Sequence, residues 1–299
     1  MSNSLKTPVV IAGYRRSPFH LANKGQLTKV RADHMTAAVV KEMVADLGID
    51  PETLEDLILG CAFPEGEQGL NMARLVGLMA GLPKSVAGTT VNRFCGSSMT
   101  SIHIAAGSIQ MGAGEAFVCA GVESMSRVTM GGFNPMPSPE LYKKMPEAYM
   151  GMGETAENVA DRYKLDRATM EAFAVESQNK AAAAVAEGRF KDEIVPIVEG
   201  NLRVEEDGVP RPETTAEGLA GLKPAFKEDG SVTAGTSSPL TDGAAAVLVC
   251  TEDYAKKNGL DILARVASVA VGGCDPEVMG LGPIVATKKA LARAGIAAK

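Results

Sequence analysis

The chain has 299 residues, 45% of them hydrophobic, and a formal net charge of -6, which is length for two domains and apolar content for a large core. Its charged residues are mixed along the sequence without a basic tract, which argues against nucleic acid as a partner. Residues 1–8 are polar and the apolar run 9–13 is too short for a signal segment or a membrane span, so no membrane span is expected and the expected location is cytoplasmic.

Residues 9–13 predict a buried strand. Residues 32–47 follow as a helix, with Met35, Val39, Met43 and Leu47 on one face and Gly48 as the stop. A strand over 57–62, a helix over 71–80 closed by Gly81 and Pro83, and a strand over 86–91 continue the alternation, which predicts a mainly parallel sheet. After a turn around Cys95 comes a helix of small and apolar residues, Met99, Ile102, Ala106 and Ile109, expected to be packed on all sides, and then a strand over 116–121.

From Glu123 the composition shifts to a Met- and Pro-rich loop, followed by helices over 154–163 and 166–187, the second capped by Asp166 and Gly188. Residues 199–217 are polar and read as an exposed excursion, and a small-residue run over 233–243 leads into an apolar strand over 245–250. Residues 123–240 are therefore read as an insertion into the first domain.

The segment 263–296 repeats the opening plan with an apolar strand, a loop holding Cys274, Asp275 and Pro276, a helix from Pro283, and an Ala-Gly-Ile close. The first copy needs about 115 residues and this one stops after about 35, so the sequence is expected to end early in a second copy, leaving an apolar face exposed.

Five cysteines, at 61, 95, 119, 250 and 274, show no Cys-x-x-Cys spacing and no nearby His to complete a zinc set, so no metal site is expected. Cys61, Cys119, Cys250 and Cys274 are read as inert core thiols. Cys95 lies between a strand ending near Val91 and a helix beginning after Gly96, where free N–H groups favour an anion by about 0.3 to 1 kcal/mol, or about 2 when partly buried. That assists a thiolate without fully making one.

Residues 91–99, Val-Asn-Arg-Phe-Cys-Gly-Ser-Ser-Met, resemble the acyl-enzyme motif of the thiolase family. Residues 121–126 (Gly-Val-Glu-Ser-Met-Ser), 152–158 (Met-Gly-Glu-Thr-Ala-Glu-Asn) and 235–244 (Gly-Thr-Ser-Ser-Pro-Leu-Thr-Asp-Gly-Ala) are similar to further thiolase blocks in the same order. Asn92-Arg93, residues 211–215 (Arg-Pro-Glu-Thr-Thr) and 273–276 (Gly-Cys-Asp-Pro) bring the likeness nearest to bacterial 3-ketoacyl-CoA thiolases of fatty-acid β-oxidation. Gly151 stands where the biosynthetic acetoacetyl-CoA members usually carry His.

The resemblance implies an α/β, thiolase-like βαβαβαββ layered fold with an inserted loop domain and the second half of the duplicated fold mostly missing. Its boundaries are residues 1–122 plus 241–262 for the N-terminal thiolase domain, 123–240 for the CoA-binding insertion, and 263–299 for the start of a C-terminal domain. It implies ping-pong chemistry in which Cys95 takes the acyl group of a 3-ketoacyl-CoA, acetyl-CoA leaves, and CoA collects the shortened acyl chain. CoA is then a substrate, and no other cofactor is implied.

Carried over residue by residue, the CoA contacts fall on Met152, Arg211, Phe226, Ala234 and Ser238. Arg211 would meet phosphates, Phe226 the adenine or pantetheine, and Ser238 a pantetheine amide. A solvated charged loop for Arg211 and a small core for Phe226 stay open as alternatives. The methionines at 125, 130, 136, 145, 150 and 152 fit an adaptable acyl tunnel, gap filling or an oligomer contact.

In the family, further acid–base groups lie in Asn-Glu-Ala-Phe, Gly-His-Pro and Cys-x-Gly-x-Gly motifs. None of these occurs here, and His20, His34 and His103 match none of them. Loss of acid–base help costs about 10² to 10⁴ in rate, so poor turnover is expected of the chain alone. The family also implies a homodimer or homotetramer and, in some bacteria, a hydratase-dehydrogenase partner subunit. An acetoacetyl-CoA thiolase and a non-catalytic CoA- or lipid-binding form are the alternatives, with β-ketoacyl synthase as a more distant one.

Overall fold

A computed structural model describes residues 6–298; the first five residues of the polar start, read above as no signal segment, and Lys299 lie outside the described residues. In chain order the elements are β1 (Val9–Arg16), β2 (His20–Leu21), α1 (Ala32–Leu47), β3 (Asp56–Gly60), α2 (Met72–Met79), β4 (Ala87–Val91), α3 (Ser97–Gln110) and β5 (Ala116–Ser124). Then come α4 (Pro139–Lys144), α5 (Met152–Tyr163), α6 (Arg167–Ala186), β6 (Ile197–Glu199), β7 (Leu202–Val204) and α7 (Ala216–Ala220). The chain returns through β8 (Thr241–Thr251), α8 (Glu252–Lys257), β9 (Ala264–Arg265) and α9 (Gly282–Ala294).

Local chemistry sets these boundaries. Helix α1 buries Met35, Val39, Val40 and Met43 and stops where Gly48 turns left-handed at φ 61°. The side chain of Asn71 accepts from the Arg74 N–H at the start of α2, and that of Asp166 accepts from Thr169 N–H at the start of α6.

Seven strands form the main sheet, in the order β4-β3-β5-β8-β1-β9 with β2 added on β8, and β6 and β7 pair antiparallel as a separate two-stranded sheet in the excursion. The mainly parallel sheet expected from the sequence is corrected to a mixed one. β3 is parallel to β4 and β5, but β8 runs antiparallel to both β5 and β1. The reason is geometric: the excursion leaves the sheet after Ser124 and returns at Asp242, which is paired with Ser124, so β8 must run back along β5. The sheet treats residues 125–240 as one long hairpin connection.

Helices α1 and α2 cover one face over a core that includes Val10, Leu57, Leu59, Val118 and Leu248. On the other face Ala105, Ala106 and Ile109 of α3 pack against Val9, Ile58, Phe117, Cys119 and Val249. The small residues of α3 thus meet the sheet. Met99 and Ile104, at 57% and 37% exposure, face away, so α3 is packed on one face and not on all sides.

The excursion is not wholly exposed between 199 and 217, since Val204 is buried in the main core with Ile197. Arg16 fastens it to β1: Nε donates to Glu193 Oε1 at 2.6 Å and Nη1 to Asp207 Oδ1 at 2.7 Å. The apolar strand expected after residue 263 shrinks to the two residues of β9 on the edge of β1. A loop rich in glycine follows, then a 3-10 turn over Pro276–Leu281. Helix α9 ends at Gly295 with φ 68°, as α1 ends at Gly48, but buries none of its residues and leaves Ile284 and Ile296 exposed. Among the described residues no helix is long and apolar enough to cross a membrane.

Candidate active site

The end of β4 becomes the start of α3 through a backbone elbow that carries Cys95. Asn92 Oδ1 accepts from Phe94 N–H at 2.8 Å, while its Nδ2 donates to the Ala62 carbonyl at 2.9 Å. Phe94 is thereby held at φ 45°, a left-handed conformation that costs a side-chain-bearing residue about 1 to 3 kcal/mol unless its surroundings enforce it. Ser97 closes the turn by accepting from Arg93 N–H at 2.7 Å and donating to the Phe94 carbonyl at 2.6 Å.

Two glycines allow α3 to start so close to the sheet. A Cβ on Gly60 of β3 would lie 2.4 Å from the Ser97 carbonyl carbon, and one on Gly121 of β5 would lie 2.5 Å from Ser98 Cβ. The elbow therefore rests directly on the ends of the central strands, and the thiol of Cys95 is exposed above them. Arg93 stands beside it, donating from Nε to Thr100 Oγ1 at 2.9 Å. Burial first, and then the Arg93 charge, holds His103 below its ordinary range.

The other thiols divide differently from the expectation. Cys61, Cys119 and Cys250 are buried, and burial pushes each up to about 12, with Glu123 adding to the effect at Cys61 and Asp56 at Cys119. Cys274, read as a core thiol, is instead exposed, because the loop holding it lies outside the sheet; its sulfur is 3.9 Å from the carbonyls of Val278 and Met279. Only Cys95 combines exposure with a helix start.

Four of the five CoA candidates, Met152, Phe226, Ala234 and Ser238, gather around α5 and α7. Met152 opens α5, and Phe226 lies across Gly153, where a Cβ would come within 2.1 Å of its ring. Glu157, buried one turn further on, accepts from Ser231 N–H and Oγ at 3.0 Å each and from Val232 N–H at 2.9 Å. That carboxylate anchors the turn leading to Ala234 and Ser238, both exposed. Gly235 packs on Leu219 and Leu222 at the end of α7. Arg211 stands further off, its backbone N–H donating to Gln178 of α6 at 2.8 Å.

Met130, Met136, Met145 and Met152 are exposed rather than lining an enclosed tunnel. Two hollows, about 330 Å³ beside Gly48 and Gly81 and about 560 Å³ along α6, include neither Cys95 nor any CoA candidate. Among the described residues no group of His, Cys, Asp and Glu could hold a metal ion. Sequence reasoning missed Asn92, Gly153, Glu157 and Glu123 as structural determinants, although all four lie inside blocks it had marked.

A strand-to-helix elbow with an exposed thiol, on a mixed sheet interrupted by a long excursion, is the arrangement of an enzyme that works through a cysteine nucleophile. Residues 9–253 match the family described as thiolase, N-terminal domain. The chain belongs to the thiolase family. It is 47% identical over 305 residues to a 3-ketoacyl-CoA thiolase of Bacillus subtilis (strain 168), covering 98% of this chain and 78% of that protein. Against a 3-ketoacyl-CoA thiolase of Marinomonas sp. (strain MWYL1) the identity is 48%, covering 96% and 75%. Among solved structures, human mitochondrial 3-ketoacyl-CoA thiolase in complex with CoA superimposes with a TM-score of 0.87 at 35% identity, covering 98% of this chain and 77% of that one.

Proposed function

We propose that this chain acts in the thiolytic cleavage of 3-ketoacyl-CoA, with Cys95 as the acyl acceptor. The Cys95 sulfur, having lost its proton, attacks the 3-keto carbon and the bond between carbons 2 and 3 breaks. Carbon 2 takes up a proton and leaves as acetyl-CoA, and the acyl group stays on sulfur as a thioester. The thiolate of CoA then attacks that thioester, releasing an acyl-CoA two carbons shorter and restoring the Cys95 thiolate. The observation that carries this reading is the exposure of Cys95 on an elbow fixed by Asn92 and Ser97 at the start of α3, the end of a helix that favours an anion.

CoA sits on the excursion against Met152, Phe226, Ala234 and Ser238, with Arg211 toward its phosphates. The turn held by Glu157 and the ring seated on Gly153 support this assignment. The domain limits 1–122 plus 241–262, 123–240 and 263–299 are part of the same reading, supported by the pairing of Ser124 with Asp242 where the excursion leaves and rejoins the sheet. The protein works in the cytoplasm as a homo-oligomer. The free edge of β4, flanked by exposed Leu75, Leu78 and Met79 of α2, supports pairing with a second copy.

Incubation with a 3-ketoacyl-CoA followed by peptide mass spectrometry tests the chemistry. A thioester adduct on the Cys95 peptide supports it, while measurable CoA binding with no adduct overturns it in favour of a non-catalytic CoA-binding form. Adduct formation confined to the four-carbon substrate would identify an acetoacetyl-CoA thiolase instead.

A further inference from the structure

We propose that Glu123 is a positioning residue for the Cys95 elbow, acting through the backbone of residues 61–63 and the side chain of Asn92. Glu123 lies near the end of β5. Its Oε2 accepts from Ala62 N–H at 2.8 Å, and its Oε1 accepts from Phe63 N–H at 3.3 Å and from Gln68 Nε2 at 2.7 Å. Three N–H donors converge on one side chain. A carboxylate, which only accepts, suits that position, whereas an amide would turn a donor toward donors.

Gln68 completes the clamp. It is fully buried, donates to the Phe63 carbonyl at 2.9 Å, and accepts from Ser124 N–H at 2.7 Å, so the last two residues of β5 are tied to the same loop. Cys61 N–H donates to the Val91 carbonyl at 3.1 Å, leaving the Ala62 carbonyl to receive Asn92 Nδ2. All three N–H groups of residues 61–63 and the carbonyls of Ala62 and Phe63 are thus held.

From this clamped loop two contacts reach the elbow. Asn92, oriented by the Ala62 carbonyl, presents Oδ1 to Phe94 N–H. The Phe63 ring meets the Phe94 ring at a centroid distance of 5.9 Å. Phe94 is the residue forced left-handed immediately before the nucleophile, so releasing either contact lets it relax toward ordinary backbone. The Cys95 sulfur would then lose its fixed place at the start of α3. Glu123 touches no reacting atom in this scheme.

The inference rests on Cys95 as the acyl acceptor, and its test separates the two ideas. The full chain and the variants Glu123→Ala, Glu123→Gln, Asn92→Ala and the double Glu123→Ala/Asn92→Ala are labelled with iodoacetamide, and each cysteine is followed by mass spectrometry. Cys274 serves as the exposed reference, and Cys119 and Cys250 as reporters of folding. Acylation of Cys95 by 3-ketoacyl-CoA is followed in parallel as a function of concentration.

Glu123→Ala and Asn92→Ala are each expected to slow Cys95 alkylation about fivefold relative to Cys274, the order set by a helix start, with Cys119 and Cys250 still protected. Limiting acylation is expected to fall about tenfold with little change in half-saturation, the mark of lost orientation rather than lost binding. Because both residues act on one elbow, the double variant is expected to be no slower than the worse single one. Glu123→Gln, keeping one acceptor oxygen, should fall between.

Cys95 alkylation within twofold of the parent in both single variants, or losses that multiply in the double one, would overturn the proposal. If Glu123→Ala exposes Cys119 and Cys250, Glu123→Gln and Asn92→Ala with their double combination decide by the same criteria. Coupled alkylation without any substrate adduct would defeat the acyl-acceptor reading while leaving the positioning role intact.

Discussion

The elbow and the excursion solve opposite problems with the same kind of chain. Around Cys95 the backbone is tied down closely: Asn92 to Ala62 just past β3, Ser97 back to Phe94 within the turn, and α3 onto Gly60 and Gly121 of the sheet. In the excursion, α6 runs from Arg167 to Ala186 and buries only Glu171, and the CoA candidates are all exposed. Chemistry at a sulfur atom tolerates misplacement of well under an ångström, whereas a long flexible ligand is held by several contacts that can each adjust. The excursion is nonetheless not slack, because Glu157 and Gly153 supply two fixed points on α5.

The comparison is broken most sharply at the nucleophile. Cys95→Ser should lower acyl-enzyme formation by about 10³-fold or more, as loss of a covalent nucleophile does elsewhere, with CoA affinity within about twofold because the CoA candidates belong to the excursion and the exchange of S for O is small. Mass spectrometry of the adduct and calorimetric titration with CoA check the two halves. A variant that lost both would show that the regions are not independent.

Glu157→Ala attacks the other region. It leaves Ser231 and Val232 N–H groups without their acceptor, at about 1 to 3 kcal/mol each when buried, and frees the turn carrying Ala234 and Ser238. CoA affinity should drop about 10- to 100-fold, while iodoacetamide labelling of Cys95 stays at the parent rate. Slowed Cys95 labelling with an intact fold would contradict the separation.

A finer probe is Gly153→Ala. Its Cβ would collide with the Phe226 ring, but Phe226 is 48% exposed and can swing away, so the fold should survive. Loss of one aromatic contact, about 0.5 to 1.5 kcal/mol, should weaken CoA by roughly 3- to 10-fold. Gly153→Ala combined with Phe226→Ala should be no weaker than Phe226→Ala alone if the glycine acts only through the ring.

Much of this division was legible in the sequence. The periodicity of residues 32–47 and the Gly48 stop gave α1 to the residue, and the shift in composition after Glu123 marked where the sheet is left. The direction of β8 was not legible, because apolar runs at 245–250 read alike in either direction and only the pairing of Ser124 with Asp242 decides it. Cys95 stood out by its block, but the reason its turn holds did not. Asn92, Gln68 and Glu123 are spread over 56 residues of sequence, and only the meeting of β3, β4 and β5 brings them together. Cys274 was misread because a lone cysteine between Gly273 and Asp275 carries no signal of exposure.

The smallest effect falls on the buried thiols that make up the sheet side of the comparison. Cys119 is 2% exposed, and burial pushes it from an ordinary 9.0 to about 12, with the charge of Asp56 adding to this and the Ser101 hydrogen bond opposing it. Its folded value lies above its unfolded one, so the stability it contributes is complete below pH 9.0, erodes as the unfolded chain ionises, and is spent near pH 12. Between those limits the slope is at most about 1.4 kcal/mol per pH unit for one group. Cys119→Ala removes that share and adds a small cavity cost that does not depend on pH, so the slopes and not the absolute melting temperatures carry the comparison. From pH 8.5 to 10 the parent should lose about 2 to 4 °C more than the variant, a difference read by differential scanning fluorimetry. Parallel curves would mean that Cys119 ionises in the folded sheet as readily as in the unfolded chain, and that the strands beneath the elbow open far more freely than their packing implies.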